Sequence, residues 1–447
     1  MSSVVSLPAN IDFNRYREIV AAAHLSKDQG RVTEVNGLLI KGTLPGASLG
    51  SLVQIFPLSS EREILAEVVG FRDQHVLMMA LGEMRGVGLG AKILLLRRSA
   101  TVRVGQELLG RIIDGHGNPI DDSAQIENFR EVPIYCEPRN PLFRRPIRQS
   151  LDLGVRAINA SLTLGRGQRM AILAGSGVGK SVLLGMMARY TEADVNVIAL
   201  IGERGREVRD FIENDLGPEG AKKSVIVCVT GDQSALLRMR GAFVATAIAE
   251  YFSSQGKNVL LMMDSVTRFA MAMREIGLST GEPPSSKGYT PSVFAMLPKL
   301  LERAGSFENE GSITGVYTTL VEGDDMNDPV GDAVRSIVDG HIILSRDLAQ
   351  KGHFPAIDIL QSNSRVMRSV TSAEHVKLAQ KLRETLATYK DAEDLINIGA
   401  YKPGSNPRID KAVKLIDSIN DFLKQAIEDR STMTQGIRAL QQILLHA

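Results

Sequence analysis

The spacing of apolar residues changes twice along this 447-residue chain. Over residues 30–98, short apolar runs alternate with glycine-containing turns, as in residues 31–35, 38–42, 52–56 and 64–69. Many short strands joined by close turns are typical of a small barrel or sandwich. The sequence therefore predicts a compact β domain in the first quarter of the chain.

Longer apolar runs follow, and segments with helical spacing separate them. The runs with the clearest strand character are residues 169–174, 195–201, 224–229, 258–263, 312–319 and 341–344. Continuous apolar runs between helices predict a mostly parallel sheet that helices cover on both faces. The fold class is therefore multidomain α/β.

From about Thr371 the strand pattern stops, and two segments repeat apolar residues at helical spacing. The first carries Leu378, Leu382, Leu386 and Tyr389, and the second carries Ala412, Ile416, Ile419, Leu423 and Ile427. Pro403 and Pro407 separate the two segments. The chain therefore ends in a predicted helical domain.

Residues 1–25 also carry apolar side chains at helical spacing. Two interpretations stand: a short helix that caps the next domain, or a helix that docks a partner. The predicted domains are a helical segment at 1–25, a β-barrel at 26–98, an α/β domain at 99–370 with a connecting segment at 99–160, and a helical domain at 371–447.

Charge and composition narrow the class of protein. Lys+Arg 52 against Asp+Glu 51 leave a net charge of +1, which argues against a general attraction to nucleic acid or anionic lipid. The predicted barrel has Phe56 and Phe71 but no interleaving of aromatic and basic residues. Cys136 and Cys228 lie far apart and are expected to be reduced thiols. No signal peptide or membrane span is evident, so a soluble, cytoplasmic protein is expected.

The most informative stretch is the glycine-rich turn between strand 169–174 and the helix that begins at Ser181. It matches the P-loop, with Ala174 where the strictest motif has glycine. Backbone N–H groups of such a loop cradle phosphates, Lys180 can reach the β- and γ-phosphates, and the Ser181 hydroxyl can ligate Mg²⁺. The predicted ATP-binding residues here are Gly175, Ser176, Gly177, Val178, Gly179, Lys180, Ser181 and Val182. The alternative is a glycine-rich turn that binds nothing, but the flanking strand and helix favour the P-loop.

Two carboxylates stand at the carboxyl ends of predicted strands, where α/β sheets place their ligands. Asp264 ends the run 258–263 and has the Walker-B arrangement, in which the aspartate holds the Mg²⁺ shell. Glu203 follows strand 195–201 and could orient or deprotonate the attacking water. For Glu203 the alternative is an exposed charged helix start.

Two further residues have both a structural and a functional interpretation. Arg365 has no carboxylate near it in sequence, so it is either a surface arginine or a residue that stabilises transition-state charge in a neighbouring subunit. Phe354 is either a core residue or an aromatic that stacks on a base.

Several segments together resemble the type III secretion ATPases, relatives of the F1 and V1 catalytic subunits that act in flagellar and virulence-factor export. The matching segments are residues 202–208 (GERGREV), 263–268 (MDSVTR), 281–284 (GEPP), 301–305 (LERAG) and 322–325 (EGDD). The resemblance covers nearly the whole chain from about residue 30. It implies an N-terminal β-barrel, a RecA-like ATPase domain, a C-terminal helical domain and a homohexameric ring with sites between subunits.

The same resemblance implies roles for individual residues. Lys180 and Ser181 become the phosphate and Mg²⁺ residues, Glu203 the catalytic carboxylate that polarises water, and Arg204 a phosphate-site residue. Glu207 and Asp264 match positions that hold water ligands of Mg²⁺. Arg365 matches an arginine finger supplied in trans, Phe354 an aromatic that packs on adenine, and Tyr401 a second such aromatic. ATP and Mg²⁺ are therefore the expected cofactors.

The implied function is ATP hydrolysis linked to the release of substrates from chaperones and to their unfolding for export. Residues 398–405 and 236–239 resemble the flagellar branch more than the injectisome branch, which stays the alternative. An F- or V-type catalytic subunit and a RecA-like nucleic-acid motor are further alternatives. A scaffold with a dead site is disfavoured because no catalytic position is substituted.

The implied partners are further copies of the chain in a hexamer, a central stalk protein, the export gate and chaperone–substrate complexes. A stator-like regulatory protein is expected at residues 12–23. Direct binding of nucleic acid is not expected. The expected location is cytoplasmic and peripheral, at the inner face of the cell membrane.

Overall fold

The computed structural model describes Arg17 and residues 28–58, 62–121, 126–321 and 328–445. The predicted docking segment at 12–23, apart from exposed Arg17, and the motif at 322–325 lie outside the described residues. The chain divides into two compact units, Met1–Ala100 and Thr101–Ala447.

The first unit contains a closed six-stranded barrel with strand order β1-β2-β5-β4-β3-β6. Its antiparallel strands are β1 Gln29–Asn36, β2 Leu39–Thr43, β3 Leu52–Phe56, β4 Ile64–Arg72, β5 His75–Ala80 and β6 Lys92–Arg97. Alternate residues point inward and fill the barrel with aliphatic side chains, among them Ile40, Val53, Ile55, Val68 and Ile93. The predicted β domain is therefore a barrel.

The second unit is built on a nine-stranded sheet in which most strands run parallel. Its strand order is β19-β18-β12-β17-β15-β13-β14-β8, and β16 pairs with β17 beside this path. The strands of this unit are β7 Thr101–Val104, β8 Ile112–Ile113, β9 Arg130–Pro133, β10 Ser150–Leu151, β11 Leu164–Gly165, β12 Arg169–Ala174, β13 Val195–Ile201, β14 Ser224–Val229, β15 Asn258–Asp264, β16 Gly305–Ser306, β17 Ser312–Leu320, β18 Gly340–Leu344 and β19 Ile357–Ser364. Strands β7 and β9, and β10 and β11, form two small separate ladders.

Helices lie between the strands and then form the end of the chain. They are α1 Arg156–Ser161, α2 Lys180–Tyr190, α3 Gly205–Asp210, α4 Gly217–Lys222, α5 Ala235–Ser254, α6 Val266–Thr280, α7 Pro291–Leu301, α8 Pro329–Ile337, α9 Arg346–Gln350, α10 Met367–Val370, α11 Ala373–Asn397, α12 Pro407–Leu423 and α13 Met433–Leu445. A π-helical turn, Phe211–Leu216, joins α3 to α4, and short 3-10 turns occur at Gln106–Leu108, Pro141–Phe143 and Ser286–Gly288. The predicted fold class, with its barrel, its domain built on a mostly parallel sheet and its C-terminal helices, is confirmed.

The C-terminal helices share a core with the sheet. Leu382, Leu415, Ile419 and Leu440 belong to the same buried cluster as Ile172 of β12. One detail of the predicted pattern is wrong: Ile427 does not continue the second helix. Helix α12 ends at Leu423, because Lys424 takes an extended backbone conformation.

Both cysteines are free thiols, and Cys228 is buried. Burial raises the pKa of the Cys228 thiol to about 11. Among the described residues, no helix combines the length and the apolar character that crossing a membrane requires.

Candidate active site

The glycine-rich turn follows β12, a central strand of the sheet, and leads directly into α2. Gly177 and Gly179 have positive φ values of 78° and 89°, which side chains with a Cβ rarely adopt. Gly177 has open space around it, so the backbone angle and not crowding requires glycine there. The turn therefore presents its backbone at the carboxyl end of the sheet, as a phosphate cradle requires.

Three of the predicted site residues meet beside this turn. The Lys180 Nζ lies 2.5 Å from Asp264 Oδ1 and 3.7 Å from Glu203 Oε1. Strands β13 and β15 are neighbours in register, with Leu200 opposite Asp264, so the two carboxylates reach the same edge. One ammonium group thus serves two carboxylates.

Burial and the nearby Asp264 carboxylate raise the pKa of Glu203 from 4.5 to about 7, and Lys180 offsets only part of this effect. The Oε1 atom of Glu203 is buried and accepts no hydrogen bond within the described parts of the chain. A carboxyl group with a pKa near neutrality is suited to exchange a proton with water. The Glu203 side chain is therefore largely shielded from solvent, in contrast to the exposed helix start considered from sequence.

The neighbouring charged residues are more open to solvent. Arg204 Nη1 lies 3.2 Å from Glu207 Oε1, and both side chains are exposed at the start of α3. Ser181 lies in the first turn of α2. The structure therefore brings Lys180, Glu203 and Asp264 into one cluster, with Arg204 and Glu207 at its rim.

The chemistry of these groups fits Mg²⁺. The hydroxyl of Ser181 and the carboxylates of Asp264 and Glu207 are hard oxygen donors, the kind that Mg²⁺ prefers. No group of three or more His, Cys, Asp or Glu in the described ranges forms a metal cage. This arrangement suits Mg²⁺, which proteins usually hold through one or two carboxylates together with substrate phosphates and water.

Phe354 lies next to the glycine-rich turn of its own chain, the predicted phosphate loop. A Cβ added at Gly179 would lie 3.5 Å from the Phe354 ring, and 46% of Phe354 remains exposed. The loop between α9 and β19 positions this residue, and its carbonyl accepts a hydrogen bond of 2.9 Å from the Gln425 N–H. An exposed aromatic face beside a phosphate cradle is available for a base.

Tyr401 lies in the turn between α11 and α12. Its hydroxyl is 3.0 Å from the Asn406 carbonyl and 2.9 Å from Asp410 Oδ1. Within the described residues no hydrogen bond or ring contact joins it to Phe354 or to the glycine-rich turn. Its role at adenine stays a prediction.

Arg365 lies at the opposite end of the sheet from the phosphate loop. Its N–H donates to the Asp339 carbonyl, and the Asp339 N–H donates to the Arg169 carbonyl at the start of β12. The strand from Arg169 to Ala174 spans about 17 Å at 3.3 Å per residue. The exposed Arg365 guanidinium has no hydrogen bond or ion pair with any described residue. Arg365 therefore cannot reach the phosphate loop of its own chain.

Three residues at the site escaped the sequence analysis. Thr318 of β17 donates a 2.7 Å hydrogen bond to Asp264 Oδ1, and the Arg268 side chain packs against Gly202, next to Glu203. Gln425 holds the Phe354 loop. For Thr318 no local signal exists, because it lies within β17, before the strand ends at Leu320, and its contact depends on the register with the neighbouring strand.

Comparisons with known proteins find matches over most of the chain. The model of the ATP synthase alpha/beta family, nucleotide-binding domain, matches residues 154–364, and the T3SS EscN ATPase C-terminal domain matches residues 371–442. A flagellum-specific ATP synthase of Bacillus subtilis is 51% identical over 418 residues, which cover 93% of this chain and 95% of the relative. A type 3 secretion system ATPase of Xanthomonas euvesicatoria is 47% identical over 427 residues, 96% of each chain.

A solved structure is similar over most of its length. It is the assembled ATPase EscN in complex with its central stalk EscO, from the enteropathogenic E. coli type III secretion system. The TM-score is 0.86 at 46% identity, and the match covers 93% of this chain and 100% of EscN.

The fold and the site define a RecA-like P-loop ATPase of the ATP synthase alpha/beta class. The sequence identity to the two relatives is about one half over nearly the whole chain, which narrows this class to a single family. The chain belongs to the family of flagellum-specific and type III secretion ATPases.

Proposed function

We propose that this chain hydrolyses Mg-ATP in a homohexameric ring at the inner face of the cell membrane. The hydrolysis drives the release of export substrates from their chaperones and their unfolding for a type III export apparatus, with flagellar export favoured. The observation that carries the proposal is the position of the catalytic cluster and of Arg365 at opposite ends of one sheet. A site that needs both groups takes them from two copies of the chain.

The first half of the site is the phosphate cradle, formed by residues 175–182. Lys180 moves from its two carboxylates to the phosphates when ATP binds, because phosphate offers it a higher local negative charge. Ser181 would hold Mg²⁺ directly, and Asp264 and Glu207 would hold it through its water ligands. The bound ion would neutralise charge on the phosphate oxygens. Phe354 packs against the adenine, and Arg204 contributes positive charge at the rim.

Glu203 orients and polarises the attacking water. Its raised pKa means that it accepts a proton more readily than an ordinary carboxylate. The cluster lies in a partly buried edge where fixed charges act more strongly than in water. The chemical step therefore needs a deprotonated Glu203 and an arginine opposite the γ-phosphate.

Arg365 of the neighbouring copy supplies that arginine. Its guanidinium is exposed and has no partner in the described ranges, and so it is available to an adjacent subunit. Arginine fingers stabilise charge on the transferred phosphoryl group.

The test mixes two inactive variants. The Lys180→Ala variant keeps Arg365 but lacks the phosphate-binding lysine. The Arg365→Ala variant keeps Lys180 but lacks the arginine finger. In rings assembled from an equal mixture, about one quarter of the interfaces pair an intact loop with an intact finger. We expect each variant alone to be nearly inactive and the mixture to recover up to about a quarter of the wild-type rate per subunit.

The matched control mixes Lys180→Ala with the double variant that carries both changes, which offers no intact loop. No recovery is expected there. If Arg365→Ala hydrolyses ATP at the wild-type rate, or if the two single variants do not complement each other, the shared site is wrong. A rate per subunit that rises with protein concentration and ignores single-stranded RNA would favour the ring over a nucleic-acid motor.

The proposed partners are a central stalk protein, a stator-like protein at residues 12–23, the export gate and chaperone–substrate complexes. The stalk has support in EscN, which is similar to this chain and is solved with its stalk EscO. To separate the two export systems, the chain is expressed in bacteria that lack either their flagellar or their injectisome ATPase. Restored swimming without restored effector secretion is the result expected for the flagellar branch.

A further inference from the structure

The Asp264 carboxylate has two donors that meet at the same oxygen. Lys180 Nζ lies 2.5 Å from Oδ1, and the Thr318 hydroxyl donates to the same Oδ1 at 2.7 Å. The other carboxylate oxygen accepts no hydrogen bond from any described residue. Asp264 itself is only 4% exposed, so these two contacts set its orientation.

We propose that Thr318 is a positioning residue, which holds Asp264 in the orientation that the Mg²⁺ shell requires once Lys180 has moved to the phosphates. The inference rests on the role proposed above for Asp264. Lys180 cannot serve as the permanent anchor of this carboxylate, because its ammonium is the group that binds phosphate. Thr318 has no such second task.

The strand register makes this contact rigid. Met263 of β15 lies opposite Tyr317 of β17, so that Thr318 comes level with Asp264 on the adjacent strand. Thr318 is fully buried, and its hydroxyl also lies 3.3 Å from the Met263 carbonyl. The hydroxyl hydrogen has these two acceptors, and the shorter contact is to the carboxylate. With Oδ1 held, the second oxygen stays free to accept a hydrogen bond from a Mg²⁺-bound water.

Thr319 provides a matched control on the same strand. It is as buried as Thr318, but its side chain points to the other face of the sheet, and its hydroxyl has no hydrogen-bond partner in the described residues. The two threonines thus differ in the contact to Asp264 and not in burial or strand position.

The experiment measures binding of a non-hydrolysable ATP analogue to the full chain, first in EDTA and then during a Mg²⁺ titration. For Thr318→Val we expect affinity in EDTA within about twofold of wild type and a Mg²⁺ half-saturation about tenfold higher, the usual scale for loss of a group that orients a metal ligand. Thr318→Ser keeps the hydroxyl and should bind Mg²⁺ like wild type. Thr319→Val should also behave like wild type.

Three results would overturn the inference: unchanged Mg²⁺ dependence in Thr318→Val, equal weakening with and without Mg²⁺, or a tenfold loss in Thr318→Ser. The Ser variant keeps the inference testable if the Val variant does not fold. Asp264→Asn separates this inference from the proposed site. If that change leaves Mg²⁺ dependence intact, the proposed role of Asp264 is wrong, whereas an effect of Asp264→Asn without one of Thr318→Val removes only the role of Thr318.

Discussion

Replacing Glu203 by glutamine should stabilise the nucleotide-free protein, and increasingly so as the pH rises. In the folded protein, burial and the Asp264 carboxylate raise the pKa of Glu203 from 4.5 to about 7. Between these two values the folded state holds a proton that the unfolded state has lost. Ionising Glu203 therefore costs folding free energy, and stability falls as the pH rises from about 4.5 to about 7. Glutamine has no charge to bury and escapes this loss.

The size of the effect follows from the pKa. Each tenfold change in proton affinity corresponds to about 1.4 kcal/mol, so the upper limit of the stabilisation by Glu203→Gln is about 3 kcal/mol. The Glu203 side chain is 14% exposed, and solvent screening reduces the repulsion, so that about 1–2 kcal/mol is the expected gain. For a unit of about 350 residues, Thr101–Ala447, this gain corresponds to about 1.5–3 °C in melting temperature.

The assay is thermal unfolding followed by circular dichroism in EDTA without nucleotide, at about pH 5 and about pH 8. The melting temperature of Glu203→Gln minus that of wild type should increase between the two values. Glu219→Gln is the control, because Glu219 is exposed and pairs only with Lys222 in the described structure. If the difference in melting temperature does not change with pH, or if Glu219→Gln shows the same change, the pH-dependent loss of stability does not come from ionisation of Glu203.

Three further predictions concern the loop, the base site and the core. Lys180→Ala should cut hydrolysis by several orders of magnitude and leave the circular dichroism spectrum unchanged, and turnover near wild type would remove Lys180 from the mechanism. Phe354→Ala should raise the KM for ATP about threefold to tenfold with little change in kcat, as steady-state kinetics would show, and an unchanged KM would exclude stacking on the base. Gly185→Ala should destabilise the protein by about 1–3 kcal/mol in urea unfolding, because the added Cβ would lie 2.6 Å from the Asp215 carbonyl oxygen, and an unchanged midpoint would contradict this packing.

The parts of the site that sequence predicts are those encoded within one strand and its following turn. Glu203 and Asp264 each end a continuous apolar run, and the rules of parallel sheets place such ends at one edge. The glycine-rich turn carries its own signature of residue types. These local patterns, with the family resemblance, predict the fold and the meeting of Lys180, Glu203 and Asp264 at one edge of the sheet.

The remaining contacts depend on pairs that are far apart in the chain. Thr318 meets Asp264 only because β15 and β17 are neighbours with one particular register, which no local pattern encodes. Gln425 reaches Phe354 because α12 ends at Leu423, where helical periodicity continued to predict a helix. Periodicity records which face of a segment is apolar, but it does not record where tertiary contacts end the helix.

The position of Arg365 has a consequence for how copies of the chain associate. Strand β19 runs antiparallel to β18, so that its carboxyl end, and Arg365 after it, comes to the edge where the parallel strands begin. Under the proposed role of Arg365, the phosphate-loop end of one copy must therefore meet the opposite end of the next. Such a contact joins two different surfaces, and it repeats around a ring instead of closing as a symmetric pair. Activity of a twofold symmetric dimer with two complete sites would be incompatible with this geometry.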